Sequence, residues 1–101
     1  MFAARLRQAR ALRGIDSQRA LGLRLGLDKK LASSRINRYE TEARGIDLDG
    51  LARLAGALNV PVAYLVAEDE HTANVLLAFS GLPEARRAEV AAMLQELVTC
   101  G

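Results

Sequence analysis

Tryptophan is absent from the 101 residues, and only four aromatic side chains occur: Phe2, Tyr39, Tyr64 and Phe79. Binding of RNA or single strands needs a series of exposed rings on which bases can stack. At least three of these four fall on inward-facing helical positions, so that class of partner is excluded. One cysteine, Cys100, admits no internal disulfide, and one histidine, His71, cannot complete a zinc site. Both point to a reducing, cytoplasmic setting and to a fold that needs no metal. No apolar run approaches the roughly 18 residues of a membrane span, and the arginine-rich first segment lacks the apolar centre of a signal peptide. Also missing are Gly-x-Ser-x-Gly, a phosphate-cradling glycine loop and His-Glu-x-x-His, so neither enzyme chemistry nor a cofactor is expected.

What is present builds helices. Half of the residues are apolar, and eighteen are alanine. The length suits one small domain with an extension. The net charge of +2 conceals an uneven distribution: residues 1–44 hold eleven Lys or Arg against four acids, whereas residues 45–101 hold three against eight. A basic first half points to a polyanionic partner there.

Apolar periodicity and cap residues divide the chain into seven helices. The first is expected from Phe2 to Arg13, with Leu6 and Ala9 inward and Gly14 as its stop. Ser17 can N-cap a second helix whose Leu21 and Leu25 are four apart, and Gly26 supplies the left-handed residue that ends it. A third helix lies between Lys29 and Thr41; its Ile36 and Tyr39 point inward, leaving Ser34, Asn37 and Arg38 on the opposite face. Two short helices so closely joined, the second with a donor-rich face, read as a helix-turn-helix that docks in DNA. Asp47 caps a fourth helix with Leu48, Leu51, Leu54, Ala55 and Leu58 at helical spacing, and Pro61 opens a short fifth with Tyr64 and Leu65. The acidic run Glu68-Asp69-Glu70 marks the expected boundary between a helix-turn-helix domain, 1–68, and a helical hairpin, 69–101, formed by helices near 71–80 and 83–99.

The ordered set of motifs resembles the Cro/cI-type helix-turn-helix regulators, also called xenobiotic-response-element-like. It comprises a basic first helix (Arg5 to Arg13), Ser17-Gln18, the Leu21 to Gly26 run, Ile36 to Glu40 with its Tyr-Glu ending, and Leu51 to Pro61. About two thirds of the chain takes part. The resemblance implies an all-α, lambda-repressor-like five-helix domain, here with a two-helix extension, acting as a sequence-specific regulator of double-stranded DNA and as a repressor. Carried over from Ile36, it places base contacts on Ser33, Ser34, Asn37 and Arg38. Arg38 suits a bidentate contact to guanine and Asn37 one to adenine. It also implies that Gln18 holds a phosphate and buttresses the third helix, and that Arg10 clamps the first helix to the third through Glu40. By charge and position, Arg5, Arg7 and Arg13, then Lys29, Lys30 and Arg44, are the further phosphate contacts expected.

The chain departs from the family pattern between Leu27 and Ile36, where eight residues stand in place of the usual four. Four residues are about one helical turn. The insertion can therefore extend the third helix backward from Asp28 as N-cap, aligning Lys30, Ser34 and Arg38, or it can lengthen the turn with Ser33 as the cap. Lys-Lys-Leu-Ala has good helix propensity and favours the first.

In the last helix Val90, Met93, Leu94, Leu97 and Val98 form an apolar stripe. It can pack on the fourth and fifth helices of its own chain, or form a homodimer interface, which recognition of two half-sites favours. Two other functions fit the same fold: an antitoxin that holds a toxin through the hairpin and represses its own operon, and an interaction adaptor that no longer binds DNA.

Overall fold

The structure is a computed structural model and describes residues 2–41 and 46–100. Among them are seven helices and no strand: α1 Phe2–Leu12, α2 Gln18–Arg24, α3 Lys29–Thr41, α4 Leu48–Leu58, α5 Val62–Leu65, α6 Glu70–Ser80 and α7 Glu84–Cys100. No helix among the described residues is long and apolar enough to cross a membrane.

Single residues set most boundaries. Both expected glycine stops take left-handed backbone, φ +68° at Gly14 and +82° at Gly26, which only glycine adopts without steric cost. Asp47 accepts from the Gly50 N–H at 2.8 Å at the start of α4. The acidic run caps rather than separates, since Asp69 accepts from the Thr72 N–H at 2.8 Å and opens α6 at Glu70.

The core joins Leu6 and Ala9 of α1, Leu21 of α2, Ile36 of α3, Leu54, Ala55 and Leu58 of α4, and Tyr64 and Leu65 of α5. Ala73 of α6 is buried in the same cluster, with Leu76 and Leu77 packed on it. The boundary expected after residue 68 therefore does not coincide with a break in packing: α6 belongs to the body, and only α7 stands away from it. Leu48, in phase with the α4 leucines, occupies the first turn of the helix and is 79% exposed.

An arginine fastens α6 to α1. Arg5 is 5% exposed; its Nε donates to the Ala67 carbonyl at 3.1 Å, and its Nη1 donates to Gln8 Oε1 at 2.8 Å and to Glu70 Oε2 at 3.1 Å. Hydrogen bonds from Arg5, then from Gln8, hold the Glu70 carboxyl below the ordinary glutamate range. A depressed carboxyl pKa contributes stability that is full above the unfolded-state value of ~4 and is lost as pH falls through the folded one. Lowering pH from 6 to 3 should thus cost wild-type protein more stability than Glu70→Gln, by a small margin because Glu70 is largely solvated. Urea midpoints at both pH values measure it, and equal losses would remove Glu70 from the fastening.

The molecule is elongated, 53 × 25 × 22 Å, because α7 projects. No residue of α7 is buried, and it does not pack on α4 or α5 in its own chain.

Candidate nucleic-acid interface

The α2–α3 unit begins at Ser17, whose Oγ accepts from the Ala20 N–H at 3.0 Å. It turns at Gly26: the Leu27 N–H donates to the Gly22 carbonyl at 3.1 Å and the Gly26 N–H to the Leu23 carbonyl at 3.0 Å, the paired bonds of a Schellman ending. Asp28 follows at once as a cap, its carboxylate accepting from the Lys30 N–H at 3.1 Å. The four extra residues are therefore helix, and α3 runs 13 residues in one piece. Gly22 and Ala32 are where the two helices touch: a Cβ on Gly22 would lie 2.6 Å from both Cα and Cβ of Ala32. The backbones approach more closely than any other residue permits.

Ala32, Ile36 and Glu40 form the inward face of α3. Lys30, Ser33, Ser34, Asn37 and Arg38 are all exposed: Lys30, Ser34 and Arg38 form the stripe away from the inward face and Ser33 and Asn37 lie between it and Glu40, so the extended helix carries one continuous polar surface. Lys29 is exposed at its first turn.

A buried carboxylate fixes that surface to the body. Glu40 is 2% exposed and meets Arg10 through two hydrogen bonds, Nε to Oε2 at 2.7 Å and Nη2 to Oε1 at 3.1 Å. Gln18 Nε2 donates to Glu40 Oε1 at 3.1 Å and to Asn37 Oδ1 at 3.2 Å. The carboxylate accepts only, so the Gln18 amide must present its nitrogen there, and the same nitrogen turns the Asn37 oxygen inward. The Asn37 amino group is left toward solvent. Polarity thus passes from Arg10 through Glu40 and Gln18 to the exposed face of α3.

Four residues expected at phosphates are engaged elsewhere. Arg5 lies inside, as described. Arg13 donates from Nε to the Leu58 carbonyl at 2.9 Å and from Nη2 to the Asn59 carbonyl at 2.8 Å, covering the C-terminal end of α4. Arg7 donates to the Glu40 carbonyl at the end of α3. Gln18 buttresses α3, but its two amide hydrogens face Glu40 and Asn37, leaving no side-chain donor for a phosphate. Arg44 lies outside the described residues. Helical phase could have identified inward Arg5, which stands four residues before buried Ala9, whereas Arg13 lies just past α1, exposed, and is taken up by the carbonyls at the end of α4. A feature missed in the sequence is a small cleft of about 60 Å³ beside Tyr39, lined by both Arg35 of α3 and Arg53 of α4.

No family model and no curated protein matches the chain. Among solved structures, the transcriptional regulator BswR, known from a crystal structure, is similar over 99% of this chain and 98% of its own, with a TM-score of 0.88 and 33% identical residues. Likeness of this extent, including α7 as well as the helix-turn-helix, reaches beyond the fold: the chain belongs to the same family as the transcriptional regulator BswR.

Proposed function

We propose that this protein is a Cro/cI-like repressor that binds a two-fold-related site in double-stranded DNA as a homodimer, with α3 in the major groove. The observation that carries the reading is the uninterrupted polar face of α3, five exposed residues of which two are cationic, locked to the body by the Arg10–Glu40–Gln18 chain. Lys29 at the start of α3, and Arg35 and Arg53 beside the Tyr39 cleft, suit phosphates, and Ser33, Ser34, Asn37 and Arg38 suit base edges. The projecting α7, with Met93, Leu94, Leu97 and Val98 exposed, supplies the association of two copies. Family membership supports a regulator, and the basic first half supports a nucleic-acid partner.

Selection of duplexes from a random pool by the purified full chain tests the reading; a two-fold-symmetric consensus is the expected outcome, and no enrichment would sink it. Substitutions then sort the contacts. Arg38→Ala should cost ~1–3 kcal/mol on the selected site and little on scrambled DNA. Lys30→Ala should weaken both alike and reduce the salt slope by about one unit, since one phosphate contact releases roughly one counterion. Equal loss on both duplexes for Arg38→Ala would place α3 outside the groove.

Association has its own check. Leu97→Asp should sediment as a monomer under conditions where wild-type protein is a dimer, with the body's melting unchanged because Leu97 is 69% exposed within the chain. A dimeric Leu97→Asp protein would remove the α7 seam.

A further inference from the structure

An unrestrained asparagine amide suits adenine, because it can donate to N7 and accept from the N6 amino group in one planar contact. Asn37 is not unrestrained. Its Oδ1 accepts from Gln18 Nε2 at 3.2 Å, and the same nitrogen donates to Glu40 Oε1 at 3.1 Å. The Glu40 carboxylate, paired with the Arg10 guanidinium, can only accept. Turning the Gln18 amide over would set its oxygen against that carboxylate, and turning the Asn37 amide over would set nitrogen against nitrogen. Neither can reverse without giving up a hydrogen bond. Gln18 is half-buried and Asn37 exposed, so the polarity fixed beside Glu40 is presented on the surface of α3.

With its oxygen engaged inward, Asn37 offers N–H donors outward. Arg38, the next residue, is exposed and offers donors only. In the major groove guanine presents the acceptors O6 and N7, whereas adenine would set its N6 amino group donor to donor against such a face and cytosine presents a donor alone. Thymine has a single acceptor, O4, beside its methyl group. Guanine is the base this face suits best. Resting on the reading of α3 as the groove helix, we infer that Gln18 is a specificity-determining positioning residue: it transmits the polarity of the buried Glu40 carboxylate to Asn37, which reads guanine and rejects adenine. The discrimination thus originates inside the protein, two side chains away from the base.

Selection from a random duplex pool by the purified protein and its variants provides the test. Asn37→Ala, compared with wild type, marks the position whose preference Asn37 governs. There, wild-type protein should bind guanine about tenfold or more tighter than adenine. Gln18→Met keeps the length of the side chain and removes its donors, so that the Asn37 amide turns freely. The preference at that position should then fall to within about twofold or invert to adenine, with other positions unchanged. A Gln18 that merely supports the fold would lower affinity for every duplex and leave the guanine-to-adenine ratio alone, which overturns the inference. Should melting show Gln18→Met unfolded, Asn37→Asp takes its place: the inward oxygen still accepts from Gln18, the outward atom becomes an acceptor, and the preferred base should change from guanine to cytosine. A guanine preference retained by Asn37→Asp, a wild-type preference for adenine at that position, or an Asn37→Ala consensus identical to wild type overturns the inference while the groove reading stands. A wild-type chain that selects no consensus overturns both.

Discussion

Arg10→Met should lower the melting temperature by about 15 °C or more, the result of stranding a carboxylate that is 2% exposed. Removing one partner of a buried ion pair costs ~3–5 kcal/mol, and each kcal/mol moves the midpoint of a domain of this size by ~4–8 °C. Without Arg10, the Glu40 carboxylate keeps, among the described residues, only the Gln18 amide, because Arg7 donates to the Glu40 backbone carbonyl and not to its side chain. The cost arises from the unpaired charge rather than from the pair's own worth. Arg10→Met combined with Glu40→Leu should therefore recover much of the loss. Calorimetric melting of the two variants decides the matter. A single variant within a few degrees of wild type would mean that water reaches Glu40 and that the clamp does not hold α3.

The second large effect runs against intrinsic preference. In an open helix, Gly→Ala stabilises by about 1 kcal/mol, and Gly56 of α4 is such a position, where an added Cβ would meet nothing within 4 Å. Gly56→Ala should accordingly raise the melting temperature by ~4–8 °C. At Gly22 the new methyl would stand 2.6 Å from the Ala32 Cα and 2.7 Å from its carbonyl oxygen, atoms that cannot move without moving α3. Gly22→Ala should then destabilise by ~1–3 kcal/mol or more, as overpacking does, and should weaken binding to a selected duplex even where the protein remains folded. Opposite signs for two identical substitutions, read in one melting experiment, are the expected outcome. A stabilised Gly22→Ala protein would show that α2 and α3 are not in backbone contact.

Elements governed by one residue's local chemistry were legible in the sequence. Gly14 and Gly26 end helices through their own φ, and Ser17, Asp28 and Asp47 begin them by accepting from backbone two or three residues on. The polar face of α3 followed from the 3.6-residue period, and the one-turn insertion preserved that phase. Arginine was harder to read. Its charge announces affinity for anions, but the long side chain can as readily satisfy carbonyls and carboxylates within the protein, as Arg5 and Arg13 do. Only Arg5 was distinguished from outward-facing residues by its phase relative to Ala9. The acidic run misled for a related reason: three adjacent carboxylates look like a solvated linker, yet Asp69 caps a helix and Glu70 receives a buried guanidinium. The stripe on α7 was legible as apolar surface, whereas its standing away from the body rather than packing on α4 and α5 was not.

That projecting helix has a thermodynamic consequence. Seventeen residues, none of them buried against the body, are close to the limit at which a helix persists in water on its own. If two copies meet through α7 as proposed, its coil-to-helix ordering and their association form one coupled equilibrium, shifted by the amount of protein present. In dilute solution the amides of α7 should exchange freely while those of α1 and α4 remain protected; as the chain accumulates, protection should spread to the last helix. Should two chains be needed to span an operator, occupancy would rise more steeply than in proportion to the number of chains made, and α7 would set the threshold.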